Sequence, residues 1–123
     1  MELNDTARAV LDHKGAWICF VTPETTVYEA LEIMAEEDIG AVLVISGSHL
    51  CGVFSERDYS RKVALLGKAS KEVTVEEIMT SPPLVVEPSQ RVDDCLRAMT
   101  QYRIRHLPVV EDETVIGVLS IGD

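Results

Sequence analysis

The chain contains the same sequence pattern twice, and this repeat restricts its possible folds more than any other feature. Pro23 and Pro88 are 65 positions apart. The same shift, applied without a gap, aligns residues of one type along both copies: Val21 with Val86, Val27 with Val92, Leu31 with Leu96, Met34 with Met99, Gly52 with Gly117, Ser55 with Ser120 and Asp58 with Asp123. A repeat of this length buries little apolar surface by itself, so we expect the two copies to pack as a pseudo-two-fold pair.

Each copy predicts the same order of elements. A short β-rich run ends at the proline, and apolar residues then follow at positions i, i+3, i+4 and i+7, which indicates one face of a helix. Two almost continuous apolar runs come next and predict strands covered on both faces. From Ser55 the first copy continues into another helix, with Tyr59, Val63 and Leu66 expected to face inward. Each copy is therefore predicted to be a β-α-β-β-α unit, and the fold class is α/β (α+β).

These patterns divide the chain into four segments: an N-terminal helix in residues 1–15, the first copy in 16–67, a linker with a short helix in 68–83, and the second copy in 84–123. Asn4 or Asp5 is expected to cap the N-terminal helix, and Thr74 the helix in the linker. The second copy reaches Asp123 without its last helix. Either the chain was cut there, or further residues follow, or this copy is unusually short.

Charge and composition argue against several classes of function. The formal net charge of −10 opposes binding to nucleic-acid phosphates or to an anionic membrane. No apolar run reaches the roughly 18 residues of a spanning helix, and the N-terminus lacks the pattern of a signal peptide, so the expected location is cytoplasmic. The three cysteines and three histidines lack the spacing of metal ligands, so reduced thiols and no metal site are predicted.

Several short motifs occur in an order that is found in a known protein family. In one-letter code they are VEEIMT at 75–80, VEP at 86–88, IRHLPVV at 104–110 and GVLSIGD at 117–123, with GVFSERD at 52–58 as the counterpart in the first copy. Together with the repeat, these motifs resemble the CBS (cystathionine-β-synthase-type) domain over about residues 16 to 123. The resemblance implies a stand-alone pair of CBS domains, a module that in this family holds an adenine nucleotide between its halves.

The resemblance also implies a role for the pattern Gly-x-x-Ser-x-x-Asp at the end of the third strand of each copy. In the family the Asp accepts hydrogen bonds from ribose hydroxyls, and the Ser hydroxyl contacts ribose or phosphate. Ser55 and Asp58 match this pattern, as do Ser120 and Asp123. A carboxylate suits the role because it can accept from two neighbouring hydroxyls. The alternative is that each Ser caps the following helix and each acid stabilises its first turn.

Basic residues are the candidates for binding phosphate groups. The resemblance implies this role for Arg105 and His106, just before the Leu-Pro-Val sequence, and a guanidinium fork can bind phosphate oxygens in pairs. For Arg103 a solvated strand end is an equal alternative. Further candidates are Arg57, Arg61 and Lys62, near the helix that starts at Ser55. The base is expected to lie in an apolar slot that includes Ala41 and Pro108.

The two copies differ at the positions that would supply positive charge. Asp38, Gly40 and Ala41 stand in the first copy where the second has Arg103, Arg105 and His106. We therefore expect unequal sites, one dominant and one weaker or empty. Without the last helix that the resemblance implies after Asp123, we expect that carboxylate to be less well held.

The resemblance implies a regulatory module that senses an adenosyl ligand, with AMP, ADP, ATP, NAD and S-adenosylmethionine as candidates. No obligatory cofactor is expected, and the family commonly assembles as a homodimer. The alternative is a homodimerising or partner-binding module with degenerate pockets. An enzyme is not expected, because the sequence lacks the motifs of hydrolases and phosphate-binding loops and has no paired nucleophile and base.

Overall fold

The computed structural model of the chain describes residues 2–15 and 18–121. The chain forms two compact units, which we call the central unit (residues 19–83) and the split unit (the residues before 19 together with those from 84 onward). In chain order the elements are α1 (Ala7–Lys14), β1 (Phe20–Val21), α2 (Val27–Glu37), β2 (Ala41–Ser46), β3 (His49–Ser55), α3 (Glu56–Tyr59), a π-helical turn (Ser60–Ala64), α4 (Val75–Ile78), α5 (Val92–Tyr102), β4 (His106–Glu111) and β5 (Thr114–Ser120).

The central unit has a three-stranded sheet in the order β1-β2-β3. β1 runs parallel to β2 and β3 runs antiparallel to it, with a register shift between Val44 and Ile45. Thr26 caps α2, because its hydroxyl accepts a hydrogen bond from the Glu29 backbone N–H at 3.1 Å. After β3 the chain enters α3 and the π-helical turn, so the β-α-β-β-α order predicted for the first copy is confirmed.

The split unit repeats this arrangement in the second copy of the sequence. α5 precedes the antiparallel pair β4-β5, whose register shift between Val109 and Val110 lies 65 residues after the shift in the central unit. The fold is therefore a mixed α/β fold with two structural repeats, as predicted. The first strand of this copy is reduced to a single bridge between Val86 and Val109.

Pro108 explains why the first strand of the second copy is so short. The matching residue of the central unit, Leu43, donates its backbone N–H to the Cys19 carbonyl oxygen at 3.2 Å. Proline has no N–H to donate, so this ladder bond is lost in the split unit. Pro108 still accepts a hydrogen bond from the Val86 N–H at 3.0 Å, and the Val110 N–H donates to the Val86 carbonyl oxygen at 2.9 Å; these two bonds keep the bridge in place.

A second repeat becomes visible only in the structure. The segment that contains α1 forms backbone hydrogen bonds with the second copy, and the segment that contains α4 forms them with the first copy at equivalent positions. The Ala7 N–H donates to the Gln90 carbonyl at 2.8 Å, and the Val75 N–H donates to the Thr25 carbonyl at 2.9 Å. α1 thus completes the copy in the split unit, whereas the central unit is completed by α4, which follows its copy along the chain.

The cap of α1 differs from the prediction. Asn4 and Asp5 were the expected caps, but the Thr6 hydroxyl accepts the hydrogen bond from the Ala9 N–H at 3.2 Å. Thr6 is held at this position because it pairs with Arg91 in an antiparallel bridge, the counterpart of the bridge between Thr26 and Thr74. The tertiary contact therefore decides where the helix begins.

The prediction that Leu66 faces inward is wrong. Val63 is fully buried as expected and Tyr59 packs partly against the same core, but Leu66 is exposed. The turn at Ser60–Ala64 has hydrogen bonds from residue i+5 to residue i, such as the Leu65 N–H to the Ser60 carbonyl. A π-helical turn contains more residues than an α-helical turn, which rotates the following side chains away from the buried face.

Two matched glycines provide a test of how tightly α1 and the segment after α4 pack. A Cβ on Gly52 would lie 2.7 Å from the Thr80 carbonyl oxygen, and a Cβ on Gly117 would lie 2.6 Å from Leu11 Cδ2. The Thr80 backbone is fixed by two hydrogen bonds with Val53, whereas the Leu11 side chain can rotate.

We expect Gly52→Ala to lower the free energy of unfolding by about 1–3 kcal/mol, the usual cost of overpacking, and Gly117→Ala to cost less. Urea unfolding of both variants measures the difference. Leu11→Val should recover part of the loss in the Gly117→Ala background, because it shortens the side chain that the new methyl group meets. Equal losses at the two glycines would contradict this account.

Candidate functional site

The predicted sugar-binding pair Ser55 and Asp58 lies where β3 passes into α3. Ser55 is the N-cap, and its hydroxyl accepts a hydrogen bond from the Asp58 N–H at 3.2 Å. Asp58 Oδ2 in turn accepts from the Ser55 N–H at 3.0 Å and from the Ser55 hydroxyl at 3.1 Å. The structure thus contains the capping arrangement that the sequence offered as the alternative to ligand binding, and the ligand-binding role stays a prediction.

Asp58 is nevertheless unusual for a capping acid, because only 6% of its surface is exposed. Its second oxygen, Oδ1, accepts a hydrogen bond from the Thr80 hydroxyl at 3.1 Å and forms an ion pair with Lys62 Nζ at 3.0 Å. The same Lys62 ammonium donates to the Ile78 carbonyl oxygen at 3.0 Å. The carboxylate therefore links the start of α3, the π-helical turn and the residues after α4.

Thr80 was not among the predicted site residues. Thr80 is the last residue of the VEEIMT motif, but it lies 22 residues after Asp58 and no repeat or helical spacing in the sequence relates the two residues. Lys62 lies four residues after Asp58, a spacing that brings two side chains together on a helix, and this signal was available from the sequence.

Ala41 lies beside this pair. In the register of the sheet it faces Ser55, and the carbonyl oxygen of the preceding Gly40 accepts a hydrogen bond from the Glu56 N–H at 3.0 Å. The structure therefore brings Ala41, Ser55 and Asp58 together in the central unit. Arg57 is exposed on α3, next in sequence to Asp58.

The split unit repeats the arrangement with other side chains. His106, half-buried, faces Ser120 in the register of the sheet, and the carbonyl oxygen of the exposed Arg105 accepts a hydrogen bond from the Ile121 N–H at 3.0 Å. Pro108 is buried two residues further along β4. Thus Arg105, His106 and Ser120 lie together, whereas Asp123 lies outside the described residues.

Arg103 and Asp38 occupy the same position in the two copies and share an uncommon backbone conformation. Each ends its helix with a positive φ, 56° for Arg103 and 54° for Asp38. This left-handed region is favoured by glycine and tolerated by Asp or Asn, so arginine is the more strained of the two. The pair also carries opposite charges, which makes the surroundings of the two copies electrostatically unequal.

The remaining candidate chemistry is limited. Among residues 2–15 and 18–121, His, Cys, Asp and Glu side chains form no group of three arranged to hold a metal ion. Burial raises the pKa of the Cys19 and Cys95 thiols, so these two groups stay protonated and weakly nucleophilic at neutral pH. No helix in this described part of the chain has the length and apolar character needed to span a bilayer.

Comparison with known proteins identifies the repeat. The family model for the CBS domain matches residues 18–65 and again residues 75–123. The chain belongs to the CBS domain family. The two matches correspond to the two structural repeats, so the Ser55 and Ser120 positions occupy equivalent places in two CBS domains.

Relatives support this assignment over nearly the whole chain. A mitochondrial CBS domain-containing protein of Arabidopsis thaliana, CBSX3, is 39% identical over 114 residues, which cover 89% of this chain and 55% of the relative. The Bacillus subtilis (strain 168) CBS domain-containing protein YhcV is 27% identical, with 94% and 81% of the two chains covered. A solved structure of a protein with CBS domains from Burkholderia ambifaria MC40-6 has a TM-score of 0.92 and 47% identity, covering 95% of this chain and 88% of that one. This CBS pair thus spans about half of the Arabidopsis relative.

Proposed function

We propose that this CBS pair is a non-catalytic regulatory module that binds an adenosyl ligand, with Asp58 as the acceptor for the ribose hydroxyls. The observation that supports this most directly is the buried Asp58 carboxylate, held next to Ser55 and Ala41 at the end of β3. A capping acid on a surface helix needs no such burial, whereas a carboxylate in a shielded place forms stronger hydrogen bonds with a ligand.

The basic side chains of the split unit support a phosphate-bearing ligand. Arg103, Arg105 and His106 come within four residues of the chain, and Arg105 and His106 flank the backbone beside Ser120. The first copy has Asp38 where the second has Arg103, so the two copies differ in the charge they carry at this position. The basic residues favour AMP, ADP, ATP or NAD among the proposed ligands, and S-adenosylmethionine, which shares the adenosine but has no phosphate, completes the set. We expect one dominant site.

Nucleotide binding can be tested with a capping acid that serves as an internal control. Glu77 makes the same capping contacts at the start of α4 as Asp58 makes at the start of α3: its Oε2 accepts from the Thr74 N–H at 2.8 Å and from the Thr74 hydroxyl at 3.1 Å. These hydrogen bonds lower the pKa of Glu77, so it is ionised at neutral pH. Glu77 is not a predicted ligand residue.

We expect Asp58→Asn to weaken the binding of AMP at least tenfold, because hydrogen bonds to a charged acceptor contribute about 1.5–3 kcal/mol each. Glu77→Gln removes a similar charge and should leave the affinity unchanged. Titration calorimetry with the ligand panel measures both, and thermal shift reports which ligand raises the unfolding temperature. Equal effects of the two substitutions, or two identical sites in the unmodified protein, would count against the proposal.

A second candidate function is a homodimerising or partner-binding module with degenerate pockets. It is favoured by the exposed apolar side chains of Leu65 and Leu66, which follow the π-helical turn. This function predicts a dimer by light scattering and no thermal shift with any adenosyl compound. Neither function predicts hydrolysis of added nucleotide, and a cytoplasmic location remains part of the proposal.

A further inference from the structure

The acceptor capacity of the Asp58 carboxylate is filled in the structure. Donors among the described residues make four contacts with it: the Ser55 N–H and hydroxyl on Oδ2, and the Thr80 hydroxyl and the Lys62 ammonium on Oδ1. A carboxylate offers about four lone-pair sites in all. A ligand hydroxyl can therefore donate to Asp58 only if it replaces one of these donors.

The two oxygens differ in how easily their donors can leave. Ser55 is three residues from Asp58, and its backbone N–H is fixed by the turn that starts α3. On Oδ1, the Lys62 side chain is half-exposed and Thr80 lies on an exposed segment. Lys62 retains the Ile78 carbonyl oxygen as a partner when it leaves Asp58. Replacement is therefore easier at Oδ1 than at Oδ2.

We propose that ligand hydroxyls bind Asp58 by displacing Thr80 and Lys62 from Oδ1, and that binding thereby loosens residues 78–81, which lie near the start of the second stretch matched by the CBS domain model. This regulatory step rests on the proposed function. Two incoming hydroxyls replace two leaving donors, so Asp58 keeps the same number of hydrogen bonds while the segment loses one anchor.

The loosening is local. Thr80 remains paired with Val53 through two backbone hydrogen bonds of 2.9 and 3.1 Å, and the Ser81 hydroxyl still donates to the Cys51 carbonyl at 2.9 Å. The released Lys62 ammonium carries three N–H donors, of which only one is needed by the Ile78 carbonyl. Ligand occupancy is thus converted into a change at residues 78–81, immediately before the second copy begins.

Adenosine is the appropriate probe for displacement, because it has the ribose hydroxyls and no phosphate that Lys62 could attract. Thr80→Val keeps the shape of the side chain and removes one competing donor. We expect the Thr80→Val variant to bind adenosine roughly two- to tenfold more tightly than the unmodified protein, because the ligand no longer has to replace the hydrogen bond from the Thr80 hydroxyl. Lys62→Met should act in the same direction. Thr22→Val, which removes an exposed hydroxyl paired with Thr25, is the control and should have no effect.

Amide hydrogen exchange tests the loosening. In the ligand-free protein, Thr80→Val should speed exchange of the residue 80 amide several-fold, and saturating adenosine should produce a change in the same direction in the unmodified protein. If Thr80→Val bound adenosine no more tightly than the unmodified protein, while Asp58→Asn still lost binding, the displacement would be wrong and the proposed function would stand. If the unmodified protein bound neither adenosine nor its phosphorylated forms, the proposed function would fail, and the displacement with it.

Discussion

Phe54→Ala should lower the free energy of unfolding by about 3–5 kcal/mol, the cost of removing a large aromatic side chain from a filled core. Phe54 lies on β3 and is 0% exposed within the core cluster of the central unit. Its removal leaves a cavity that the surrounding valines, fixed in the sheet and in α2, can fill only in part. Urea unfolding monitored by circular dichroism measures the loss.

Phe20 provides a matched control, since it is the other phenylalanine of the chain and undergoes the same chemical change on substitution. It lies on β1 of the same unit and is 55% exposed. Phe20→Ala should therefore cost about 1 kcal/mol or less, because surface substitutions are usually small in effect. A loss at Phe20 as large as that at Phe54 would show that the assigned burial of β1 and β3 is wrong.

Leu11→Ala should lower the free energy of unfolding by about 2–5 kcal/mol, although α1 lies outside both matched stretches of CBS sequence. Leu11 is 4% exposed and belongs to the core cluster of the split unit, where its methyl groups lie over Gly117 of β5. Hydrogen exchange of β4 and β5 should rise together with the loss of stability.

Leu3→Ala is the control for this prediction, because Leu3 lies on the same N-terminal segment and is 61% exposed. We expect its effect to be within about 0.5 kcal/mol. If Leu11→Ala changed the free energy of unfolding as little as Leu3→Ala, α1 would not be part of the hydrophobic core of the split unit.

Much of the fold could be predicted from local patterns. The apolar residues at Val27, Ala30 and Met34 all became the buried face of α2, and the alignment of Gly52 with Gly117 corresponds to the same place in both sheets. Such features depend on side-chain periodicity and backbone preferences, which act over a few residues and so are readable from the chain. The repeat then transferred each local prediction from one copy to the other.

The candidate site could be predicted only in part. Ser55 and Asp58 are three residues apart, and their pairing follows from the preference of serine for helix caps. Thr80, in contrast, reaches Asp58 only because its segment pairs with Val53, and no pattern in the sequence links residues 58 and 80.

The sequence by itself determined the mixed α/β fold, the two CBS repeats and the inequality of charge between Asp38 and Arg103, because all of these depend on residue type at a fixed spacing. Only the tertiary structure decided which helix completes which repeat, where α1 begins, and which donors occupy Asp58. Those outcomes depend on contacts between segments far apart in the chain, whose free energies arise from packing and hydrogen bonding that local preferences do not specify.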